Sequence, residues 1–240
     1  MIKFFRTIRY NLMETGKTGK YLKYAIGEIA LVMIGILLAL QVNNWNTEKQ
    51  LRKQELGFLQ ELKTGMEADK KLLETTLIDD KSDHKALLIL DSILKFPDYL
   101  YTKSLDTLFG KVYGLRHVRL NNAFYEDLKA SGLQIIHDEN LRSTIVNLFE
   151  NNYKLLGTYI EQERSVNQVT RPYYLEHFSA LDFQDSATPN DYKKIWNDPV
   201  YKNIVHYRII TLEFNQLTEY KNTIDAIEEL VNQIENYRND

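Results

Sequence analysis

The sequence predicts an all-α fold in which one apolar helix near the N-terminus precedes an antiparallel bundle of long amphipathic helices. Three observations favour it. Only 10 Gly and 4 Pro occur in 240 residues, too few for the many turns of an all-β protein. Apolar side chains recur at alternating steps of three and four over long stretches, the period of helices that pack along a seam. One uninterrupted apolar run stands before these stretches.

The apolar run covers residues 24–42 and contains one charge, Glu28. As a helix it is roughly 28 Å long, close to the hydrocarbon thickness of a bilayer. Basic residues precede the run and Trp45 follows it, as interfacial anchors do. We therefore predict a transmembrane helix. The alternatives are a buried core helix and a signal peptide, and the latter lacks a small residue two positions after Ala39 for its cleavage site.

Charge is distributed unevenly around this run. Residues 1–23 form a basic arm in which one acid, Glu14, stands against Lys3, Arg6, Arg9, Lys17, Lys20 and Lys23. The positive excess before the run predicts a cytoplasmic N-terminus. Residues 43–240 then form the periplasmic domain of a single-pass inner-membrane protein. The amphipathic pattern of the arm predicts either a helix on the anionic leaflet or a mobile tail.

Small residues recur every four positions within the predicted span, at Gly27, Gly35 and Ala39. Such a stripe lets two helix backbones approach closely, so we expect a homodimer through the span; ordinary membrane-helix composition is the alternative. Glu28 is an intramembrane charge one turn from the cytoplasmic end. It is either functional or neutralised at the interface by a nearby lysine.

Two blocks of the sequence resemble a known family. The first runs from Lys20 to Asn46 and contains the string IGEIALVMIGILLALQVNNWN; the second is Phe124–Gly132, followed by Ile135-Ile136 and Asn140-Leu-Arg142. Both are similar to recurring blocks of a family of uncharacterised single-span envelope proteins of Gram-negative bacteria. The resemblance implies a short cytoplasmic arm, one span and an extracytoplasmic helical domain. Because the family is a domain of unknown function, it implies no activity.

Three seams predict long helices near 46–95, 138–172 and 198–237, with coiled-coil-like packing. The first seam has polar residues at Asp69, Thr76, Asp80 and Asp83, so we expect the helix to break or to project past its neighbours around 75–84. The second seam contains Leu141, Ile145, Leu148, Asn152, Leu155, Tyr159, Gln162, Val166, Val169 and Tyr173. The third contains Ile210, Leu217, Tyr220, Ile224, Ile227, Val231 and Ile234.

Shorter elements are expected between the seams. The pattern predicts helices over Ser104–Tyr113 and Ala123–Ser131, with Gly132 at a C-cap that needs positive φ. Asp138 and Asp198 are expected N-caps, Pro172 is expected to kink or end its helix, and residues 179–197 are expected to form an exposed loop.

No catalytic, cofactor-binding or metal-ligating residues are predicted. Cys is absent, the five His are scattered, and no phosphate loop or zinc-protease motif occurs. The acidic patch around Asp79–Asp83 is interpreted as a solvated face. A basic group could hold an anion, or could pair with the acidic body instead: Arg116, Arg119 and Arg142. The 16 Tyr are expected at core edges with their hydroxyls in water, a carbohydrate or aromatic-ligand groove being the alternative.

These features favour a membrane-anchored interaction or scaffold module that binds other envelope proteins or its own copy. A ligand-sensing periplasmic bundle that acts through a membrane partner is the alternative. An enzyme is the third and least supported class, and we expect no cofactor. The formal net charge of −3 gives no general attraction to nucleic acid.

Overall fold

The computed structural model describes residue 10 and residues 18–96, 98–113, 116, 118–182 and 185–239. Most of the basic arm lies outside these residues. The chain divides into two compact units, Met1–Glu55 and Leu56–Asp240, and each is considered by itself. The predicted all-α class is confirmed, because helices make up nearly all of the described chain.

Eight α-helices and one hairpin make up the described elements. The helices are α1 (Thr18–Lys95), α2 (Leu105–Tyr113), α3 (Ala123–Ser131), α4 (Glu139–Asn147), α5 (Lys154–His177), α6 (Tyr192–Asn197), α7 (Pro199–Thr211) and α8 (Thr218–Asn239). A first π segment (Leu148–Tyr153) joins α4 to α5, and a second π segment (Leu212–Leu217) joins α7 to α8. A 3₁₀ turn covers Leu133–Ile135. The strands are β1 (Phe178–Asp182) and β2 (Ser186–Pro189).

The predicted caps are where the sequence indicates. Asp138 accepts a hydrogen bond from the Leu141 amide at 2.7 Å, and Asp198 accepts one from the Val200 amide at 2.8 Å, so each carboxylate satisfies an amide that the helix leaves open. Gly132 follows α3 with a φ of 97°, the positive value predicted for it.

In the first unit, α1 carries apolar side chains on all sides. From Leu22 to Val42 its large apolar residues are between 53% and 63% exposed. The mean hydropathy of an 18-residue window of this helix is 2.3, and none of that window is buried. The helix is therefore long and apolar enough to cross a membrane.

In the second unit, α1 buries one face without interruption. The apolar seam residues Leu59, Leu62, Met66, Leu73, Leu87, Leu90 and Leu94 are all buried. The expected break around 75–84 is wrong, because α1 is continuous there and its polar seam residues Asp69, Thr76, Asp80 and Asp83 are buried as well. Polar partners from other elements offset part of the cost of burying the three carboxylates, whereas Thr76 donates to the Leu72 carbonyl of α1 itself at 2.9 Å.

Ion pairs fix the direction of α8 along α1. Lys63 pairs with Glu235 at 2.5 Å, and Lys70 pairs with Glu228 at 2.6 Å. From the first pair to the second, the residue number increases on α1 and decreases on α8. The two helices therefore run in opposite directions. Leu62, Tyr220, Ile227 and Ile234 are buried in the same apolar cluster.

The second and third seams are wrong by one position where a π segment intervenes. Beyond Leu148 the buried residues of the second helix are Tyr153, Leu156, Ile160 and Glu163, each one position after a predicted seam residue. Before Tyr220 the third helix buries Ile209 and Gln216, each one position before a predicted seam residue, Ile210 and Leu217. A π turn contains one extra residue, which rotates the helix face beyond it.

Two expectations concern the end of α5. Of the two alternatives for Pro172, a kink or a helix end, the second is wrong, because the helix continues to His177. The expected loop over 179–197 contains the antiparallel β1–β2 hairpin and α6 instead. The hairpin lies against α2, and a Cβ on Gly110 would approach the Ser186 amide nitrogen to 2.5 Å, so only glycine permits this contact.

Candidate functional site

The residues predicted for membrane association lie on the exposed part of α1. A Cβ added to Gly27 or Gly35 would meet no atom within 4 Å, and Ala39 is exposed. Glu28 is half-buried. The Lys49 ammonium lies 5.7 Å from the centre of the Trp45 ring, a cation–π contact at the end of the apolar stretch.

A charged layer interrupts the core of the second unit. Its members are the buried Asp80, Asp83, Glu163 and Arg208 and the half-buried Arg116. Arg116 donates to Asp80 from Nε and to Asp83 from Nη2, both at 2.7 Å. Arg208 on α7 pairs with Glu163 on α5. The layer therefore joins α1, α5, α7 and the segment after α2.

This layer separates two apolar clusters along the long helices. On α1 it lies between Leu73, which belongs to the first cluster, and Leu87, which belongs to the second. On α5 Glu163 lies between Ile160 of the first cluster and Tyr174 of the second. Polar groups thus occupy positions at which apolar side chains would join the two clusters into one core.

Asp80 has an unusual protonation equilibrium. Burial raises its pKa from 3.8 to about 6, although the Arg116 guanidinium opposes that shift. The Tyr220 hydroxyl faces this carboxylate, and its pKa is raised by burial and by Asp80. The acidic patch is therefore not the solvated face that the sequence suggested, because Asp80 and Asp83 are buried and paired.

The three arginines predicted for anion binding have different surroundings. Arg116 is engaged by Asp80 and Asp83, which corresponds to the ion-pair alternative. Arg142 donates to the Ile136 carbonyl at 2.8 Å. Arg119 is exposed, and among the described residues no ion pair engages its guanidinium.

Asp69 connects three parts of the second unit. Its carboxylate accepts two hydrogen bonds from the Asn121 amide, at 3.0 and 3.1 Å, and one from the Tyr153 hydroxyl at 2.9 Å. Burial raises the pKa of Asp69. This side chain therefore ties α1 to the segment before α3 and to the first π segment.

A cleft of about 520 Å³ lies beside Asp69. The Tyr125 and Phe149 rings that line it are stacked, with centroids 4.4 Å apart and planes at 4°, and Tyr153 packs on Phe149 at 4.7 Å. Aliphatic side chains line it too: Val118, Leu120, Leu156 and Ile160. Its rim carries Arg119, Asn122, Glu126, Glu150, Lys154, Glu161 and Arg164.

The acidic groups on the rim of the cleft are paired. Glu150 accepts from Lys129 at 3.1 Å, from Tyr125 at 3.0 Å and from Lys154. Hydrogen bonds from Lys154, Lys129 and Tyr125 lower the pKa of Glu150 to about 2. Glu126 pairs with Lys129, and Glu161 pairs with Arg164.

A second surface groove is almost entirely apolar. It measures about 400 Å³ and lies between α5 and α7. Val169 is 74% exposed, Val200 54% and Tyr207 46%, so the groove exposes a large apolar surface. At its base Thr170 and Arg208 also line a small cavity next to Glu163.

Tyrosines contribute more to the core than the sequence suggested. Tyr174, Tyr201 and Tyr220 are fully buried rather than placed at core edges. The Tyr174 hydroxyl donates to the Phe109 carbonyl at 2.8 Å and lies 3.0 Å from the Tyr201 hydroxyl. Within the described ranges no group of three or more His, Asp or Glu side chains has a metal-binding arrangement.

The sequence pointed to only part of this site. Asp69, Asp80 and Asp83 stand out as polar residues in an apolar seam. Glu163 and Arg208 fall outside the predicted seams, because each lies on the side of a π segment where the face has rotated. The cleft depends on contacts between residues far apart in sequence, and its lining has no motif.

The comparisons with known proteins give one result. A family model described as "Family of unknown function (DUF6090)" matches residues 28–183. These residues include most of the span block and all of the second block that carry the resemblance. Neither the curated proteins nor the solved structures give a match.

Proposed function

The chain belongs to the family of unknown function DUF6090, and we propose that it is a single-span membrane protein whose helical domain is an interaction module. The observation that carries the proposal is the exposed apolar stretch of α1. Its large apolar side chains from Leu22 to Val42 are each more than half exposed, and none of its most apolar 18-residue stretch is buried among the described residues. Exposure of each of these large side chains to water costs about 1.5–3 kcal/mol, and a bilayer removes that cost.

The residues at both ends of the apolar stretch also support its placement in a membrane. Trp45, with Lys49 over its ring, has the amphipathic character of an interfacial anchor. The basic residues before the stretch favour the negative surface of the cytoplasmic leaflet. We infer an inner-membrane protein with its N-terminus in the cytoplasm and its domain of antiparallel helices in the periplasm.

Reporter fusions test this orientation. Alkaline phosphatase fused after Asp240 should be active, because it folds only outside the cytoplasm, whereas green fluorescent protein at the same position should stay dark. A fluorescent fusion with inactive phosphatase would contradict the orientation.

The span is also proposed as a contact between two copies of the chain. Gly27, Gly35 and Ala39 lie on one face of α1, and the absence of atoms near the two glycines leaves room for a second helix. Crosslinking of the membrane-embedded chain should decrease for Gly35→Ile. Met33→Ile lies on the opposite face and is the matched control. Equal crosslinking of both variants would contradict this dimer.

A specific observation favours a second candidate function, a ligand-sensing domain that acts through a membrane partner. The cleft beside Asp69 has the size of a small-molecule site, about 300–1,000 Å³. Its lining residues all lie between 118 and 164, inside the segment that the family model matches.

A further inference from the structure

The cleft beside Asp69 has an unequal distribution of paired and unpaired charges on its rim. Each acid on its rim has a cationic partner: Glu126 and Glu150 with Lys129, and Glu161 with Arg164. Arg119 has no such partner among the residues that the structure describes, although it lines the cleft and is exposed. The guanidinium is therefore available to an anion from solution.

The wall of the cleft is mainly aromatic. Tyr125, Phe149 and Tyr153 give it an aromatic wall, and Leu156 and Ile160 add aliphatic surface. Aromatic walls favour flat apolar ligands, because rings pack face to face with an offset or edge to face. The volume of about 520 Å³ accommodates a body of two or three fused rings.

The walls of the cleft are held by a π segment and by a buried carboxylate. Phe149 and Tyr153 lie on the first π segment, a feature that is frequent at functional sites. The Asp69 carboxylate accepts a hydrogen bond from the Tyr153 hydroxyl on one wall. It accepts another from the Asn121 amide, which lies on the segment that carries Arg119. A leucine at position 69 would continue the apolar seam at lower desolvation cost. The carboxylate instead holds two walls of the cleft in place.

We propose that this cleft binds a small organic anion whose flat apolar body lies against the Tyr125–Phe149–Tyr153 wall and whose acidic group pairs with Arg119. The inference deepens the ligand-sensing function proposed above. It does not depend on the orientation of the span, so the reporter fusions and the binding test can fail separately.

Naphthalene-2-sulfonate is a suitable probe, because it joins a flat apolar body to an anion. Naphthalene-2-sulfonamide has the same body without the charge. Binding of each probe to the full chain in maltoside micelles is measured by ligand-observed NMR, with protein-free micelles subtracted. Saturable binding of the sulfonate, tighter than that of the sulfonamide, is expected. Absence of saturable binding, or equal binding of both probes, would overturn the proposal.

A steric variant locates the binding site. Gly157 lines the cleft, and a Cβ there would meet no atom within 4 Å, so Gly157→Leu adds a side chain to the cleft from an uncrowded position and replaces a helix-destabilising residue. It should abolish sulfonate binding. Gly57→Leu is the matched control, because Gly57 is exposed, equally uncrowded and outside the cleft. Sulfonate binding by Gly157→Leu at wild-type affinity would refute the location.

A charge variant tests the role of Arg119. Arg119→Gln should weaken sulfonate binding by about tenfold, the effect of one charge-assisted hydrogen bond, and should leave sulfonamide binding unchanged. Arg171→Gln removes an exposed arginine from outside the cleft and should alter neither affinity. An equal effect of Arg119→Gln on both probes, or none on either, would exclude Arg119 as the anion partner.

Discussion

Buried carboxylates on α1 connect elements that the apolar seams alone would leave separate. Asp69 holds the first π segment and the segment before α3, while Asp80 and Asp83 hold Arg116. Each carboxylate costs desolvation energy, which its hydrogen bonds and ion pairs offset in part. The raised pKa of Asp80 shows that burial outweighs the attraction of its partners at that position.

The titration of Asp80 should be visible in the pH dependence of stability. Its pKa is about 6 in the folded chain and 3.8 in the reference state, so the folded state binds more protons between these values. The unfolding free energy of the wild type, relative to Asp80→Asn, should therefore fall by about 2 kcal/mol as pH rises from 4 to 7 and then level off.

Urea denaturation of both proteins at several pH values from 4 to 7.5 measures this difference. The comparison with Asp80→Asn cancels the contribution of the other carboxylates. A difference that is constant, or that rises with pH, would contradict the raised pKa, because it would show that Asp80 ionises at least as readily in the folded chain as in the unfolded one.

At the scale of the elements, the two π segments determine which helix faces are buried. Leu156 is 1% exposed and Leu155 is 40% exposed, although the uninterrupted seam predicts the reverse. The segments also position Phe149 and Tyr153 in the cleft, so the same local irregularity changes both the core and the candidate site.

Paired substitutions test this register directly. Leu156→Asp should lower the unfolding free energy by about 3–5 kcal/mol, because it buries a charge without a partner. Leu155→Asp should change it by less than about 1 kcal/mol, as at other surface positions. Thermal denaturation followed by circular dichroism measures both. A larger loss of unfolding free energy for Leu155→Asp than for Leu156→Asp would support the uninterrupted seam and contradict the π segment.

The contact between α2 and the hairpin depends on one glycine. Gly110→Ala would place a Cβ 2.5 Å from the Ser186 nitrogen and should destabilise the chain by about 1–3 kcal/mol. The same substitution at Gly57, which faces open space in α1, should stabilise it by about 0.5–1 kcal/mol. Chemical denaturation distinguishes the two signs, and stabilisation by Gly110→Ala would mean that the hairpin does not lie against α2.

At the scale of the whole molecule, the success of sequence-based prediction depends on how regular each helix is. The seam of α1 from Leu59 to Leu94 is predictable because no irregularity interrupts it. The predicted seams around Leu155 and Ile210 are wrong because the extra residue of a π segment rotates the helix, and the pattern of apolar residues in the sequence does not reveal that extra residue. The hairpin from Phe178 to Pro189 is missed because its polar composition is also typical of loops, and its pairing depends on the close contact at Gly110.

The apolar stretch of α1 was predictable from the sequence alone. It supports the proposal that this part of α1 spans a membrane and that the helical domain lies on the periplasmic side. Since the chain has no cysteine, single cysteines can be introduced as unique reporters. Ile34 lies in the apolar stretch, Ile78 is 69% exposed on the second unit, and Lys3 lies in the basic arm.

The most direct test is labelling of these three single-cysteine variants by a membrane-impermeant maleimide in spheroplasts, before and after lysis. The account predicts that Ile78→Cys is labelled from outside, that Lys3→Cys is labelled only after lysis, and that Ile34→Cys is labelled only after detergent and denaturant expose it. Rapid labelling of Ile34→Cys in intact membranes, or labelling of Ile78→Cys only after lysis, would contradict it.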